Sequence, residues 1–257
     1  MQRSNGGIAP QGYNPAMADT PRKVAVFDVD GTVFRSSLLI RLVDVLIEEG
    51  LFPPRTREEF AEKEKNWLER KGDYQKYIDS VVNSFMRHIR GLAYADFDRA
   101  VKIVTGRYKD QVYRYTRDLV KKLKKEKYFL LAISQSPKGV LDPICKAWGF
   151  DKVYGRFYEL GPSDRFTGRI QDVELITNKA AVLRRAIAKD GLSLKGSVGV
   201  GDTEGDISFL EMVEKPICFN PNKKLLAHAE RRGWEVVVER KDVVYRISKG
   251  HAKRRIR

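Results

Sequence analysis

The chain has 257 residues, 42% of them hydrophobic, and a formal charge of +15 with a pI near 9.7. That is enough apolar content for a full globular core. No apolar run approaches the ~20 residues of a membrane helix, and no basic-then-apolar leader marks export, so a cytoplasmic protein is expected.

In chain order, residues 1–22 are rich in Gly, Pro, Asn and Gln and read as a disordered leader. Val24 to Phe27 is a β-branched and aromatic run that predicts a buried strand over 24–28. Leu38, Leu39, Leu42, Val43, Leu46 and Ile47 then recur at helical spacing, closed by Gly50. Pro53-Pro54 breaks the chain, and 56–71, 73–90 and 94–105 read as helices punctuated by Gly72 and Gly91. An all-helical stretch, 36–110, therefore interrupts a strand-led pattern.

The alternation of strand and helix resumes with helix 111–127, strand 128–134, helix 138–148 and a short strand near 152–154. Residues 155–172 read as a hairpin around Gly161, Pro162 and Gly168. Helix 178–189, strand 196–201, helix 205–213, strand 216–219, helix 222–232 and strand 235–238 follow. This pattern predicts an α/β fold, a three-layer Rossmann-like core with a parallel sheet built by right-handed crossovers, plus the helical insertion. The expected division is a core of 23–35 and 111–245, the insertion 36–110 and a basic tail 246–257.

Four polar stations follow predicted strands or open predicted helices, the edge where open α/β sheets bind ligands. Asp28 and Asp30, one residue apart before Gly31-Thr32, can hold a hard cation or divide nucleophilic and proton-transfer work; an acidic turn is the plainer reading. Ser134, at the end of strand 128–134, offers a hydroxyl and following N–H groups to a phosphate oxygen, or simply caps a helix. Lys179 stands at a helix start, where a cation opposes the dipole; a surface lysine is the default reading. Asp202 and Asp206, four apart at a strand–loop–helix junction, can complete a Mg²⁺ site or belong to an ordinary capped helix start.

Other features point to packing. Lys121, Lys122, Lys124, Lys125 and Lys127 share a helix with Leu119, Val120 and Leu123, a solvated outer face. Cys145 and Cys218 lack CxxC spacing and read as buried reduced thiols. His88, His228 and His251 have no metal-ligand spacing, and Trp67, Trp148, Trp234, Tyr108, Tyr113 and Tyr115 read as packing residues. The basic end can grip nucleic acid or an anionic surface, but a solubilising tail is the simpler reading.

The order of the stations resembles the haloacid dehalogenase superfamily of aspartate-nucleophile phosphatases. The matching residues are Asp28-Val29-Asp30-Gly31-Thr32, Ser134, Lys179 and Gly201-Asp202-Thr203-Glu204-Gly205-Asp206. The insertion resembles that superfamily's type 1 helical cap. Ile133-Ser134-Gln135-Ser136-Pro137, Phe166-Thr167-Gly168-Arg169-Ile170 and Asn220-Pro221-Asn222-Lys223-Lys224-Leu225 with Gly233-Trp234 resemble the phosphoserine-phosphatase-like subgroup.

The resemblance implies a Mg²⁺-dependent phosphatase hydrolysing a small phosphomonoester through an aspartyl-phosphate. It assigns Asp28 as nucleophile and Asp30 as general acid and base. It assigns Ser134, Lys179 and Gly31 to the phosphate. Asp28, the Asp30 carbonyl and Asp202 would hold the metal, with Asp206 binding it through water or orienting its ligands. An acid at position 30 argues against dehalogenation, because halide leaves without a proton. The subgroup's glutamate nine residues after the nucleophile is Ser37 here, so histidinol phosphate, sugar phosphates and nucleotides stand beside phosphoserine. Arg35 and Ser37 at the hinge are candidates to touch the leaving group, and Arg87 and Arg90 to meet a substrate carboxylate. A phosphotransferase sharing the aspartyl-phosphate step, and a nucleic-acid- or membrane-associated protein using the basic tail, remain alternatives. A monomer or homodimer is expected.

Overall fold

The structure is a computed structural model and describes residues 21–171 and 176–247. Most of the expected leader, the tail beyond Ile247 and His251 lie outside the described residues. One eight-stranded sheet runs in the order β4-β3-β2-β1-β5-β6-β7-β8. Its strands are β1 (Lys23–Phe27), β2 (Phe129–Pro137), β3 (Lys152–Leu160), β4 (Phe166–Gln171), β5 (Ser193–Gly201), β6 (Lys215–Phe219), β7 (Glu235–Arg240) and β8 (Val243–Ile247). Every pairing from β3 across to β7 is parallel, while β4 and β8 close the two edges antiparallel.

The helices are α1 (Leu38–Glu48), α2 (Glu58–Leu68), α3 (Tyr74–Ile89), α4 (Tyr94–Tyr108), α5 (Arg114–Lys125), α6 (Lys138–Trp148), α7 (Lys179–Asp190), α8 (Ile207–Leu210) and α9 (Lys223–Arg232). Alternation along the strands sorts them into layers. Ala25 and Phe27 of β1 face a core that includes Val120 and Leu123 of α5 and Val140 and Ile144 of α6. Val24 and Val26 face the opposite core with Val182 and Leu183 of α7, Phe209 of α8 and Leu225 of α9. The lysines of α5 lie outside this packing and are exposed. Cys145 and Cys218 are buried free thiols. No helix among the described residues is long and apolar enough to cross a membrane.

Helices α1–α4 carry no strand between them. They are fastened to the sheet edge as well as by the chain crossings at either end. Gly91 N donates to Phe166 O (2.8 Å) and Phe166 N to Leu92 O (3.0 Å). The Arg165 guanidinium donates to Gly91 O at 2.7 Å, and the Phe166 ring meets Phe97 edge-on at 5.1 Å.

Three details differ from the expectation. The sheet is not wholly parallel. Strand β8 was not anticipated and takes Arg246 and Ile247 out of the expected tail, with Arg246 ion-paired to Glu235 at 2.6 Å. The helix expected over 205–213 is a 3-10 turn, Glu204–Asp206, followed by the four residues of α8. Residues 211–214 form a turn and bend that lead into β6 at Lys215.

Candidate active site

Adjacent parallel strands deliver the acids. Asp28 follows β1 directly, and its N–H continues the ladder to Val200 O of β5 at 2.9 Å. Asp202 follows β5, so neighbouring strand ends present both carboxylates at the same sheet edge. Lys179, the first residue of α7, enters from the opposite layer. Its ammonium donates to Asp28 Oδ1 and to Asp206 Oδ1, each at 2.6 Å. The lysine is therefore buried, 5% exposed, and the surface reading of it does not hold.

Asp206 is fully buried and organises the loop that carries Asp202. Its Oδ2 accepts from Asp202 N and Thr203 N at 3.0 Å each, and from the Thr203 hydroxyl. Both of its oxygens are thus engaged within the chain. Asp28, Asp202 and Asp206 each offer an oxygen, all within 4.8 Å of one another. Among the described residues Asp28 Oδ2 is buried with no hydrogen-bond partner, and the Asp202 carboxylate accepts from the Thr32 hydroxyl, through Oδ1 at 3.2 Å. An unpartnered buried carboxylate oxygen beside a second acid fits a hard, oxygen-seeking cation such as Mg²⁺.

Two glycines make the approach possible. Gly31 has φ +81°, and a Cβ there would collide with the Asp202 carboxylate. A Cβ at Gly201 would collide with Asp206. The Gly31 N–H is engaged with Phe34 O at 2.9 Å and Ser36 O at 3.1 Å. Gly31 thus supplies room, rather than the free phosphate-binding donor expected of it.

Asp30 is not part of this acidic cluster and is held in a ring of donors. Leu38 N, at the start of α1, donates to Oδ1 at 2.6 Å. The hydroxyls of Ser134 and Ser136 both donate to Oδ2, at 2.7 and 2.8 Å. Ser134 Oγ also accepts from Ser136 N at 3.0 Å.

Burial dominates the electrostatics. It raises the Asp28 carboxyl to about 7, against the pull of Lys179 and with added repulsion from Asp206 and Asp30. Burial also raises Asp30, opposed by the donors just named, and lifts Asp202 well above the usual range, helped by Asp28 and Asp206. For Lys179 burial acts downward, but Asp206 and Asp28 outweigh it and hold the ammonium protonated.

The surroundings sort the remaining candidates. Ser37 is buried immediately before α1. Arg35 is exposed, its guanidinium 5.6 Å over the Tyr113 ring. Tyr113 also packs edge-on against Phe219 at 4.9 Å. Tyr74, at the start of α3, is near enough to the acids to feel them: its phenol is pushed up by burial and then by the charges of Asp30 and Asp202. Trp67 packs on it at 5.2 Å. Arg90 lies sixteen residues further along, about 24 Å at 1.5 Å per residue, with its stem against Gly168. Arg87 pairs with Glu59 at 3.2 Å. Neither arginine is brought to the acids.

Ser136, Thr32 and Tyr74 join the site without having been singled out. Ser136 had a readable signal, because residues two apart in an extended strand share a side and β2 runs on through Pro137. Tyr74 had none, since only tertiary packing brings it there.

The sequence profile of the haloacid dehalogenase-like hydrolase family matches residues 25–211. A histidinol-phosphatase of Neisseria meningitidis serogroup C (strain 8013) is 25% identical over 228 residues, covering 84% of this chain and 98% of its own. A solved protein of unknown function from Bordetella pertussis Tohama I superposes with a TM-score of 0.67 at 21% identity, over 84% of this chain and 98% of its own. A phosphoserine phosphatase solved as a phospho-aspartyl intermediate analogue superposes with a TM-score of 0.56 at 19% identity, over 87% and 96%. Both structural likenesses concern the fold.

Proposed function

The chain belongs to the haloacid dehalogenase-like hydrolase family as one of its phosphatases, and we propose that it hydrolyses a small phosphomonoester through an aspartyl-phosphate on Asp28, with Mg²⁺ as cofactor. The observation that carries this reading is the state of Asp28. One oxygen is pinned by Lys179, and the other is buried and unpartnered.

In this reading the Asp28 carboxylate attacks phosphorus in line. The bond from phosphorus to the leaving oxygen breaks as Asp30 gives that oxygen its proton. Asp30, now ionised, takes a proton from water as the water oxygen attacks phosphorus. The Asp28–phosphorus bond breaks, returning the carboxylate and releasing phosphate. Lys179 fixes the nucleophile and offsets negative charge where the two anions meet, and Ser134 donates to a phosphoryl oxygen. Asp28, Asp202 and the Asp30 carbonyl would hold Mg²⁺, and Asp206 would orient the loop bearing Asp202. Bound there, the cation supplies charge neutralisation for the approaching phosphate.

We assign helices α1–α4 as the cap that covers the leaving group, with Arg35, Ser37 and Tyr74 at its inner rim. Histidinol phosphate is the first substrate to try. The relative named for that activity matches over nearly its whole length, and Ser37 supplies no carboxylate for the ammonium of phosphoserine. The test is a screen of phosphorylated alcohols with and without Mg²⁺, beside Asp28→Asn. Phosphate release that needs both the metal and Asp28 is expected; a chain inert toward every ester overturns the proposal.

A further inference from the structure

The two hydroxyls on Asp30 raise a problem of proton supply. A serine hydroxyl has one hydrogen to donate. Ser134 directs its hydrogen to Asp30 Oδ2 and receives the Ser136 N–H on its own oxygen. It cannot hold Asp30 and a phosphoryl oxygen with that same hydrogen. Ser136 donates to the same Oδ2 from one pleat further along β2, and the side chain is 4% exposed.

From this geometry we infer that Ser136 is a positioning residue for Asp30: it keeps the carboxyl aimed at the leaving oxygen when Ser134 turns its hydrogen to the phosphoryl group. The inference rests on the phosphatase reading above. With phosphate bound, Ser134 Oγ still accepts the Ser136 N–H but donates outward. Asp30 then retains Ser136 on Oδ2 and Leu38 N on Oδ1, two donors on different oxygens, which still fix the carboxyl plane. Without the Ser136 hydroxyl only Leu38 N remains, and the carboxyl is free to turn about that single bond. In the first half-reaction the loss falls on proton delivery to the leaving oxygen; kcat/KM reads that half-reaction, and not the later attack of water that Asp30 also serves.

That separates Ser136 from a residue that merely supports the fold. A leaving group that departs as a stable anion needs no proton, whereas a poorer one does. The experiment measures kcat/KM for p-nitrophenyl phosphate and phenyl phosphate with wild type, Ser136→Ala and Ser136→Thr. In Ser136→Ala we expect p-nitrophenyl phosphate to stay within about 3-fold of wild type while phenyl phosphate falls about 10-fold or more. Ser136→Thr, which restores a hydroxyl, should recover most of the phenyl phosphate rate. Circular dichroism checks folding, and Ser136→Cys, close in volume and a poor donor, replaces the alanine variant if that fails to fold. Equal losses on both esters, or no loss on either, overturn the inference. A wild-type protein inert toward both esters overturns the phosphatase reading and this inference with it, an outcome distinct from a flat response among active variants.

Discussion

Asp202 lies so close over Gly31 that any Cβ at residue 31 would overlap its carboxylate. The left-handed backbone there, φ +81°, disfavours a side chain independently. Gly31→Ala must therefore displace the loop after β1 or push Asp202 from the acidic cluster. We expect activity to fall at least about 10²-fold, with Mg²⁺ no longer raising the melting temperature. Thermal melts with and without Mg²⁺ check this, and a wild-type metal response would contradict it.

The ammonium of Lys179 is the shared cation of two buried acids. Lys179→Met leaves those acids facing each other, and breaking a buried pair costs about 3–5 kcal/mol. The abandoned carboxylates gain by protonation, so the folded-state Asp28 pKa rises further and the deficit grows with pH. The melting-temperature gap to wild type should be larger at pH 8 than at pH 5.5. A gap that widens on acidification would show that the lysine does not act by charge.

Metal binding should show the same linkage in wild type. Burial pushes the Asp28 carboxyl up to about 7, from 3.8 for a free aspartate. A raised folded pKa favours stability below 3.8 and withdraws it as pH climbs through 7. Mg²⁺ competes with that proton, so its stabilising effect should grow over the same window. At about 100 times its Kd the gain is about 2.7 kcal/mol, or about 5–10 °C for a domain of this size. Calorimetry at pH 5.5 and 8 measures the difference; a pH-independent gain would place the metal elsewhere.

Asp30 holds no position in the acidic cluster, so its replacement should separate turnover from metal affinity. Asp30→Asn keeps the shape and most acceptor contacts but has no proton to give as an acid. Turnover should drop at least about 10²-fold while the Mg²⁺-induced thermal shift persists. Near-normal turnover would remove Asp30 from proton transfer.

The sheet interior was readable because β1, β2, β5 and β6 are apolar runs that stop at polar residues. The meeting of Asp28, Lys179, Asp202 and Asp206 was readable because each follows a strand or opens a helix at one edge. The burial of Lys179 was not, since a lysine at a helix start gives no sign of its partners. Strand β8 was hidden by its turn: Lys241 adopts φ +53° without the Gly or Asn that usually announces such a hairpin. Ser136 escaped because a second serine after a strand resembles ordinary cap chemistry.

The bonds between Gly91, Leu92 and Phe166 make a third anchor for the four helices. A body joined by two strands of chain alone can swing as a door does; one fastened at a further point can only rock about the line through its fastenings. Trp67 and Tyr74, packed on each other at 5.2 Å where α2 gives way to α3, belong to that fastened body.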